Sequence, residues 1–310
     1  MTAPIRILDG GLATELEARG FDLSDRLWSA RVLLSAPEAI LAVHRAYFEA
    51  GATVATTASY QATVPGFAEA GLDQPAALAA IRRSVSLAVQ AREAHRAASA
   101  EAGDGDQDLV VAGSVGPYGA MLADGSEYRG DYDPGATILR DVHGPRMDAL
   151  LEAGADLLAL ETIPTVREAE VLVRLVEERG ATAWLSYQCR DDRSTAAGES
   201  IETAVAVAQA VPGIVAIGVN CTAPRHVAPL LERAASVTST PLIAYPNGGD
   251  SWDPGQRRWV AEDSSGAFDA ARAEDWADAG AQWIGGCCGT GPIDIARMRA
   301  ALAGRQVAAS

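Results

Sequence analysis

Short apolar runs and longer stretches that tolerate helix alternate eight times along the chain. The runs cover residues 5–9, 53–59, 109–115, 156–162, 182–189, 214–221, 241–246 and 283–288. They are rich in Val and Ile, as strands buried on both faces are. The helix-tolerant stretches are 36–50, 74–98, 136–153, 166–179, 201–211, 225–236, 272–279 and 293–303. Such alternation predicts βαβ units and a parallel sheet.

A weak recurrence marks one set of junctions. Glu49-Ala-Gly-Ala, Glu152-Ala-Gly-Ala, Glu178-Arg-Gly-Ala and Asp278-Ala-Gly-Ala each stand just before a strand. Gly51, Gly154, Gly180 and Gly280 fit the left-handed position that ends a helix, so these connections are tight. Several connections on the other side are long, at 116–135, 190–200 and 247–271. One polar, acidic stretch on the tight side, 99–108, reads as a solvated insertion without chemistry. Eight units predict a single (β/α)8 TIM barrel over residues 1–310, with long βα loops at the C-terminal face, where such barrels carry their sites. The runner-up is an open doubly wound sheet. Its first turn ordinarily reads G-x-G-x-x-G, whereas here it is Asp9-Gly10-Gly11-Leu12-Ala13.

Composition narrows the function. Of 310 residues, 48% are hydrophobic, enough for a large core. No apolar run is long enough to span a membrane. The opening MTAPIRILDG lacks the apolar run of a signal peptide, so a cytoplasmic protein with no membrane partner is expected. The net charge of −16 argues against nucleic acid as a partner. All 25 basic residues are arginine. The absence of lysine excludes a Schiff-base aldolase, a lysine-anchored pyridoxal enzyme and a lysine P-loop.

The four cysteines are Cys189, Cys221, Cys287 and Cys288. Gly285-Gly286-Cys287-Cys288-Gly289-Thr290 is the most unusual segment. Neighbouring side chains on a strand point to opposite faces, so two adjacent cysteines share one ion only if the backbone leaves strand geometry. The flanking glycines permit that. Taken alone, the pair reads equally well as two small buried thiols at a bend. Cys221 ends the sixth run, and all strand ends of a closed barrel converge on one mouth. Three cysteines there form a thiolate set for zinc that leaves a fourth position open, as catalytic sites do. Cys189 is expected to be a core filler. If it bound as well, the site would be closed.

Asp9 and Glu161 also end runs, the first and the fourth. They are either helix caps or structural ion partners, or a pair suited to the ammonium group of a small substrate. Gly10 and Gly11 offer backbone N–H groups to a carboxylate. Together they fit an amino acid.

These residues carry a resemblance. Asp9-Gly10-Gly11, Glu161-Thr162, Val219-Asn220-Cys221 and the Gly285–Thr290 segment resemble the zinc-dependent homocysteine S-methyltransferase family across nearly the whole chain. The resemblance implies Cys221, Cys287 and Cys288 as zinc ligands and catalytic centre. It also implies that Asp9 and Glu161 hold the amino group of homocysteine, with Gly10, Gly11, Thr162 and Asn220 beside the substrate. Thr57-Ala-Ser-Tyr-Gln-Ala-Thr, Ser114-Val-Gly-Pro-Tyr-Gly-Ala and the stretch 124–132 look like the branch that uses S-methylmethionine or S-adenosylmethionine. The chain ends soon after its last helix-tolerant stretch. It shows neither the added modules of cobalamin- and folate-dependent methionine synthases nor the extension of betaine-dependent relatives.

The implied reaction moves a methyl group from a sulfonium donor to homocysteine thiolate, giving methionine. It needs no histidine base, in keeping with only four histidines in the chain. Tyr60, Tyr118, Tyr128, Asp131 and Trp252 are candidates for holding the cationic donor. Asn220 is either a group that orients its neighbouring ligand or a structural residue. Rival readings are a selenocysteine or other thiol methyltransferase, a non-catalytic zinc- or thiol-binding barrel, and a metal-independent barrel lyase. The preferred donor and the choice between monomer and dimer stay open.

Overall fold

Each of the eight apolar runs forms one parallel strand: β1 (Arg6–Ile7), β2 (Val54–Thr56), β3 (Val110–Val115), β4 (Leu157–Ile163), β5 (Ala183–Tyr187), β6 (Ile214–Asn220), β7 (Leu242–Tyr245) and β8 (Ala281–Ile284). The structure, a computed structural model, describes residues 2–23, 29–103, 107–209, 211–248, 251–253, 258–260 and 271–308. The strands pair in the order β1-β8-β7-β6-β5-β4-β3-β2. The parallel bridge Leu8–Val54 joins the two outer strands, and Asp9 N–H donates to the Val54 carbonyl at 3.0 Å. The sheet therefore closes on itself as a barrel.

Helices follow the strands. They are α1 (Leu12–Ala18), α2 (Ser29–Ser35), α3 (Pro37–Glu49), α4 (Val64–Glu69), α5 (Gln74–Ala102), α6 (Tyr118–Leu122), α7 (Ala136–Glu152), α8 (Val166–Arg179), α9 (Ile201–Ala206), α10 (Pro224–Ala235), α11 (Arg272–Asp278) and α12 (Pro292–Ala301). The four recurrent glycines all take positive φ, at 95°, 88°, 56° and 100° for Gly51, Gly154, Gly180 and Gly280. There the chain leaves a helix and enters the next strand in a few residues, as the recurrence predicts.

Three expectations are corrected. The 99–108 stretch is not a loop throughout, because α5 continues to Ala102 and stops at the left-handed Gly103. Its alanines and Glu101 are good helix formers, so only the glycine ends it. In contrast, α9 stops at Ala206, short of the expected end at 211. Short helices α1, α2, α4 and α6 occupy connections that carry no clear periodicity. Thr2–Pro4 pairs antiparallel with Gln306–Ala308, and Ser251–Asp253 with Arg258–Val260.

The barrel interior is filled by Trp184, Leu8, Val54, Ile243 and Tyr245, with Ala112, Ala159 and Ala216 between them. Trp184 makes edge contacts with Trp283 and Tyr245, at centroid distances of 5.9 and 6.1 Å. One large ring among alanines fills the axis, as alternating large and small residues do in a packed core. The interior below the mouth is thus solid, and ligands can enter only from the end where the strands terminate. Among the described residues, no helix is long and apolar enough to cross a membrane.

Candidate active site

Backbone hydrogen bonds carry the strand ends of β6 and β8 to one point. Cys221 N–H donates to the Tyr245 carbonyl at 3.1 Å, and Cys287 N–H to the Pro246 carbonyl at 2.7 Å. Beyond Ile284 the chain leaves the strand. A side chain on Gly286 would stand 2.1 Å from Thr290 Oγ1, so only glycine lets the turn close. Thr290 Oγ1 in turn donates to the Cys287 carbonyl at 2.6 Å. In this turn the adjacent cysteines no longer alternate in direction, and both join Cys221. The three sulfurs lie within 4.8 Å of one another.

Cys221 has φ of 46°, in the left-handed region, and Thr162 has φ of 60°. For a β-branched residue this is strain of order 1–3 kcal/mol. Asn220 sustains it at Thr162. The Asn220 Oδ1 accepts from Thr162 N–H at 2.7 Å, and its Nδ2 donates to Thr162 Oγ1 at 2.8 Å. The same oxygen accepts from Ser186 Oγ at 2.9 Å, and Nδ2 stands 4.0 Å from Cys287 Sγ.

The sulfurs share their protons unequally. Hydrogen bonds from Cys221 and Cys288 hold the Cys287 thiol well below its ordinary pKa. The Cys221 and Cys288 thiols are pushed up in return, first by those same contacts and then by burial. Three sulfurs in mutual contact are a donor set suited to a soft divalent cation. Thiolates about 2.3 Å from one tetrahedral zinc would stand about 3.8 Å apart, within the 4.8 Å span of this cluster.

The sulfurs open on a cleft lined also by Asp9, Gly10, Gly11, Tyr60, Tyr128, Glu161 and Thr162. Asp9 is held by the end of β2, accepting from Thr56 N–H at 2.7 Å and Thr56 Oγ1 at 2.9 Å. Glu161 accepts from Ser114 Oγ. Burial raises the carboxyl of Asp9 to about 7 and that of Glu161 to about 8, partly offset by these bonds. Among the described residues neither carboxyl has an ion-pair partner within salt-bridge distance, which leaves both suited to receive a cation.

The structure sorts the residues singled out in the sequence. Asp9, Gly10, Gly11, Glu161, Thr162, Cys221, Cys287 and Cys288 all line the cleft. Asn220 does not. It is fully buried behind the wall with its amide engaged by Thr162 and Ser186, and it reaches the site where its Nδ2 meets Cys287 Sγ at 4.0 Å. The N–H of Gly11 donates to the Thr290 carbonyl at 3.0 Å, so it is not available to a substrate. Cys189 stands apart from the sulfur cluster, within the layer between barrel and helices.

Of the donor candidates, Tyr60 and Tyr128 reach the cleft. Tyr118 instead packs against Tyr132, at a centroid distance of 5.6 Å. Asp131 pairs with Arg129 at 2.8 Å on the exposed surface. The Trp252 side chain lies outside the described residues.

Several contributors carry no sequence signal of their own. Tyr47 from α3 donates its hydroxyl toward the carbonyls of Gly11 and Thr290, 3.0 Å from each, tying the first turn to the eighth. Glu127 is buried beside Tyr60 and Tyr128, and desolvation raises its carboxyl to about 7. Ser114 and Glu127 lie within segments quoted for the branch resemblance, which is the one signal that pointed near them.

Residues 6–302 match the family described as homocysteine S-methyltransferase. The chain is 48% identical over 297 residues to the homocysteine S-methyltransferase of Escherichia coli (strain K12), covering 96% of this chain and 94% of that protein. It is 41% identical to the selenocysteine Se-methyltransferase of Brassica oleracea var. italica, covering 98% of this chain and 91% of that one. The metallated form of the homocysteine methyltransferase MmuM from Escherichia coli superposes with a TM-score of 0.85 at 46% identity, over 96% of each chain.

Proposed function

This chain belongs to the homocysteine S-methyltransferase family, and from that premise we propose that Cys221, Cys287 and Cys288 hold one zinc ion at which homocysteine receives a methyl group from a sulfonium. The protein is an S-methyltransferase with homocysteine as acceptor. The observation that carries the site assignment is the meeting of three sulfurs within 4.8 Å, in a cleft that also presents Asp9 and Glu161.

Cys221, Cys287 and Cys288 would hold the zinc, which would supply the Lewis acidity that keeps a substrate thiol ionised near neutral pH. The chain's own residues do the rest. Asp9 and Glu161 accept hydrogen bonds from the substrate ammonium, and its charge draws both carboxyls into their ionised form. The Gly10 N–H faces the substrate carboxylate. Tyr60 and Tyr128 turn π faces to the cationic sulfonium. Methyl transfer then forms one C–S bond and breaks another, and the electron pair of the broken bond stays on the departing neutral thioether. No proton moves in that step, and no histidine lines the cleft. Rate enhancement comes chiefly from holding the reacting atoms about 3–3.5 Å apart in line. S-methylmethionine is the proposed donor, with S-adenosylmethionine second.

The test incubates reduced, zinc-loaded protein with homocysteine and each sulfonium in turn. Methionine forms, and Cys287→Ser abolishes it. No methionine with either donor would refute the reading. The selenocysteine methyltransferase relative gives a second reading of the acceptor. Competition between selenocysteine and homocysteine for one donor decides between them.

A further inference from the structure

Behind the tyrosine wall lies a buried polar cluster that lines no part of the cleft. Arg146 and His143 are one turn apart on α7, and Glu168 sits in the first turn of α8. All three are at most 1% exposed. A guanidinium has no acceptor, so the contact of 2.6 Å between Arg146 Nη2 and His143 Nδ1 makes that nitrogen the acceptor. The imidazole proton is therefore on Nε2, which donates to Glu168 Oε1 at 2.7 Å. Burial and the Arg146 charge keep the ring neutral by lowering its pKa. The result is an Arg–His–Glu relay, an ion pair bridged by a neutral ring. A buried pair of this kind is costly unless its donors and acceptors are used, and here all but Arg146 Nε find a partner among the described residues.

Its outer contacts all go to the loops of the tyrosine wall. Arg146 donates to the carbonyls of Tyr60, at 3.2 Å, and Gly116. The Tyr60 ring lies directly on Gly116, where a Cβ would meet its Cδ2 and Cε2 at 2.7 Å. One guanidinium thus sets both the backbone of Tyr60 and the surface on which its ring rests. Glu168 accepts from Tyr118 N–H at 2.6 Å and from the Tyr132 hydroxyl at 2.5 Å. Both ends of the stretch 118–132 are fastened to a single carboxylate, and Tyr128 lies between them.

We propose that Arg146, His143 and Glu168 are positioning residues for the methyl donor, fixing the loops that place the Tyr60 and Tyr128 rings against the sulfonium. The inference rests on the transferase reading above. Among the described residues the triad forms no hydrogen bond of its own to the sulfurs, Asp9 or Glu161, so its effect falls chiefly on the donor side and reaches the sulfur cluster only through the contact of Tyr128 with Cys221 and the charge of Arg146 near Glu161.

Two variants test this. Arg146→Lys keeps the charge but loses the fork that holds two carbonyls. Tyr132→Phe keeps the ring and removes one hydrogen bond to Glu168. Kinetics with S-methylmethionine and homocysteine are measured separately, with metal content and hydrogen exchange over residues 114–132. Donor kcat/KM falls about tenfold to a hundredfold in Arg146→Lys, as small misplacements do, and roughly fivefold in Tyr132→Phe. Homocysteine KM and metal content stay within about twofold of wild type, and the 114–132 segment exchanges faster. Unchanged donor kinetics and exchange would overturn the proposal, as would equal losses for both substrates with the metal gone. Should Arg146→Lys not fold, Tyr132→Phe decides alone. A wild-type enzyme that turns over no sulfonium refutes the functional reading and this inference together. An active wild type with donor-insensitive variants refutes this inference only.

Discussion

Asp9, Glu161 and Cys221 stand within two residues of the ends of barrel strands, on or beside the ladder hydrogen bonds, whereas Tyr60 and Tyr128 stand in connections that leave the barrel. The first wall inherits its geometry from the sheet. Each strand end is flanked on both sides by neighbours, so a side chain there can move little without breaking main-chain bonds. The second wall has no such ladder and is fastened by buried side chains from α7 and α8. One pocket is therefore held by two kinds of restraint. Its metal and acceptor side should respond to changes at strand ends, and its donor side to changes in helices that never touch a ligand.

The largest expected effect breaks the first wall outright. Cys288→Ser removes one of three thiolates, so metal content measured by elemental analysis falls to near zero and methyl transfer drops by about a thousandfold or more. A metal-loaded, active Cys288→Ser enzyme would remove the sulfur cluster from the reaction. Next comes Glu161→Gln, which keeps the shape and deletes a charge. A hydrogen bond to a charged group is worth about 1.5–3 kcal/mol, so homocysteine KM rises roughly tenfold to a hundredfold. Donor KM and metal content should hold, and equal movement of both KM values would erase the proposed division between walls.

A third variant probes the strain shared by β4 and β6. Asn220→Ala strands the buried Thr162 N–H and frees its positive φ. Urea unfolding should show about 1–3 kcal/mol of lost stability, with a weaker effect on metal content than Cys288→Ser. Cys189→Ala should do least. Its thiol belongs to the helix-side core, so metal content and activity stay unchanged while stability falls by about 1 kcal/mol or less. Loss of metal in that variant would mean that the cluster has a fourth sulfur.

The eight apolar runs and the four glycine junctions were legible because a strand buried on both faces and a left-handed helix end each restrict residue type locally. The meeting of the three sulfurs was legible only once the runs were taken as a closed barrel, since Cys221 and Cys287 lie far apart in the chain. Tyr47, Arg146 and Glu168 gave no such signal. Each is an ordinary residue in a helix or turn, and its role lies in what it meets across the fold. Gly11 and Asn220 show the reverse case, residues marked by motif whose polar groups turn out to be engaged by Thr290, Thr162 and Ser186.

Local chemistry written in the chain thus determined the barrel, the end of it that bears the site, and the kinds of group found there, because periodicity, glycine and cysteine act through near neighbours. The tertiary structure alone decided which N–H groups remain for a substrate, which tyrosines face the cleft and what holds them. Those outcomes depend on hydrogen bonds between residues as distant as Gly11 and Thr290 or Tyr60 and Arg146, and such pairings exist only after the chain has closed into a barrel.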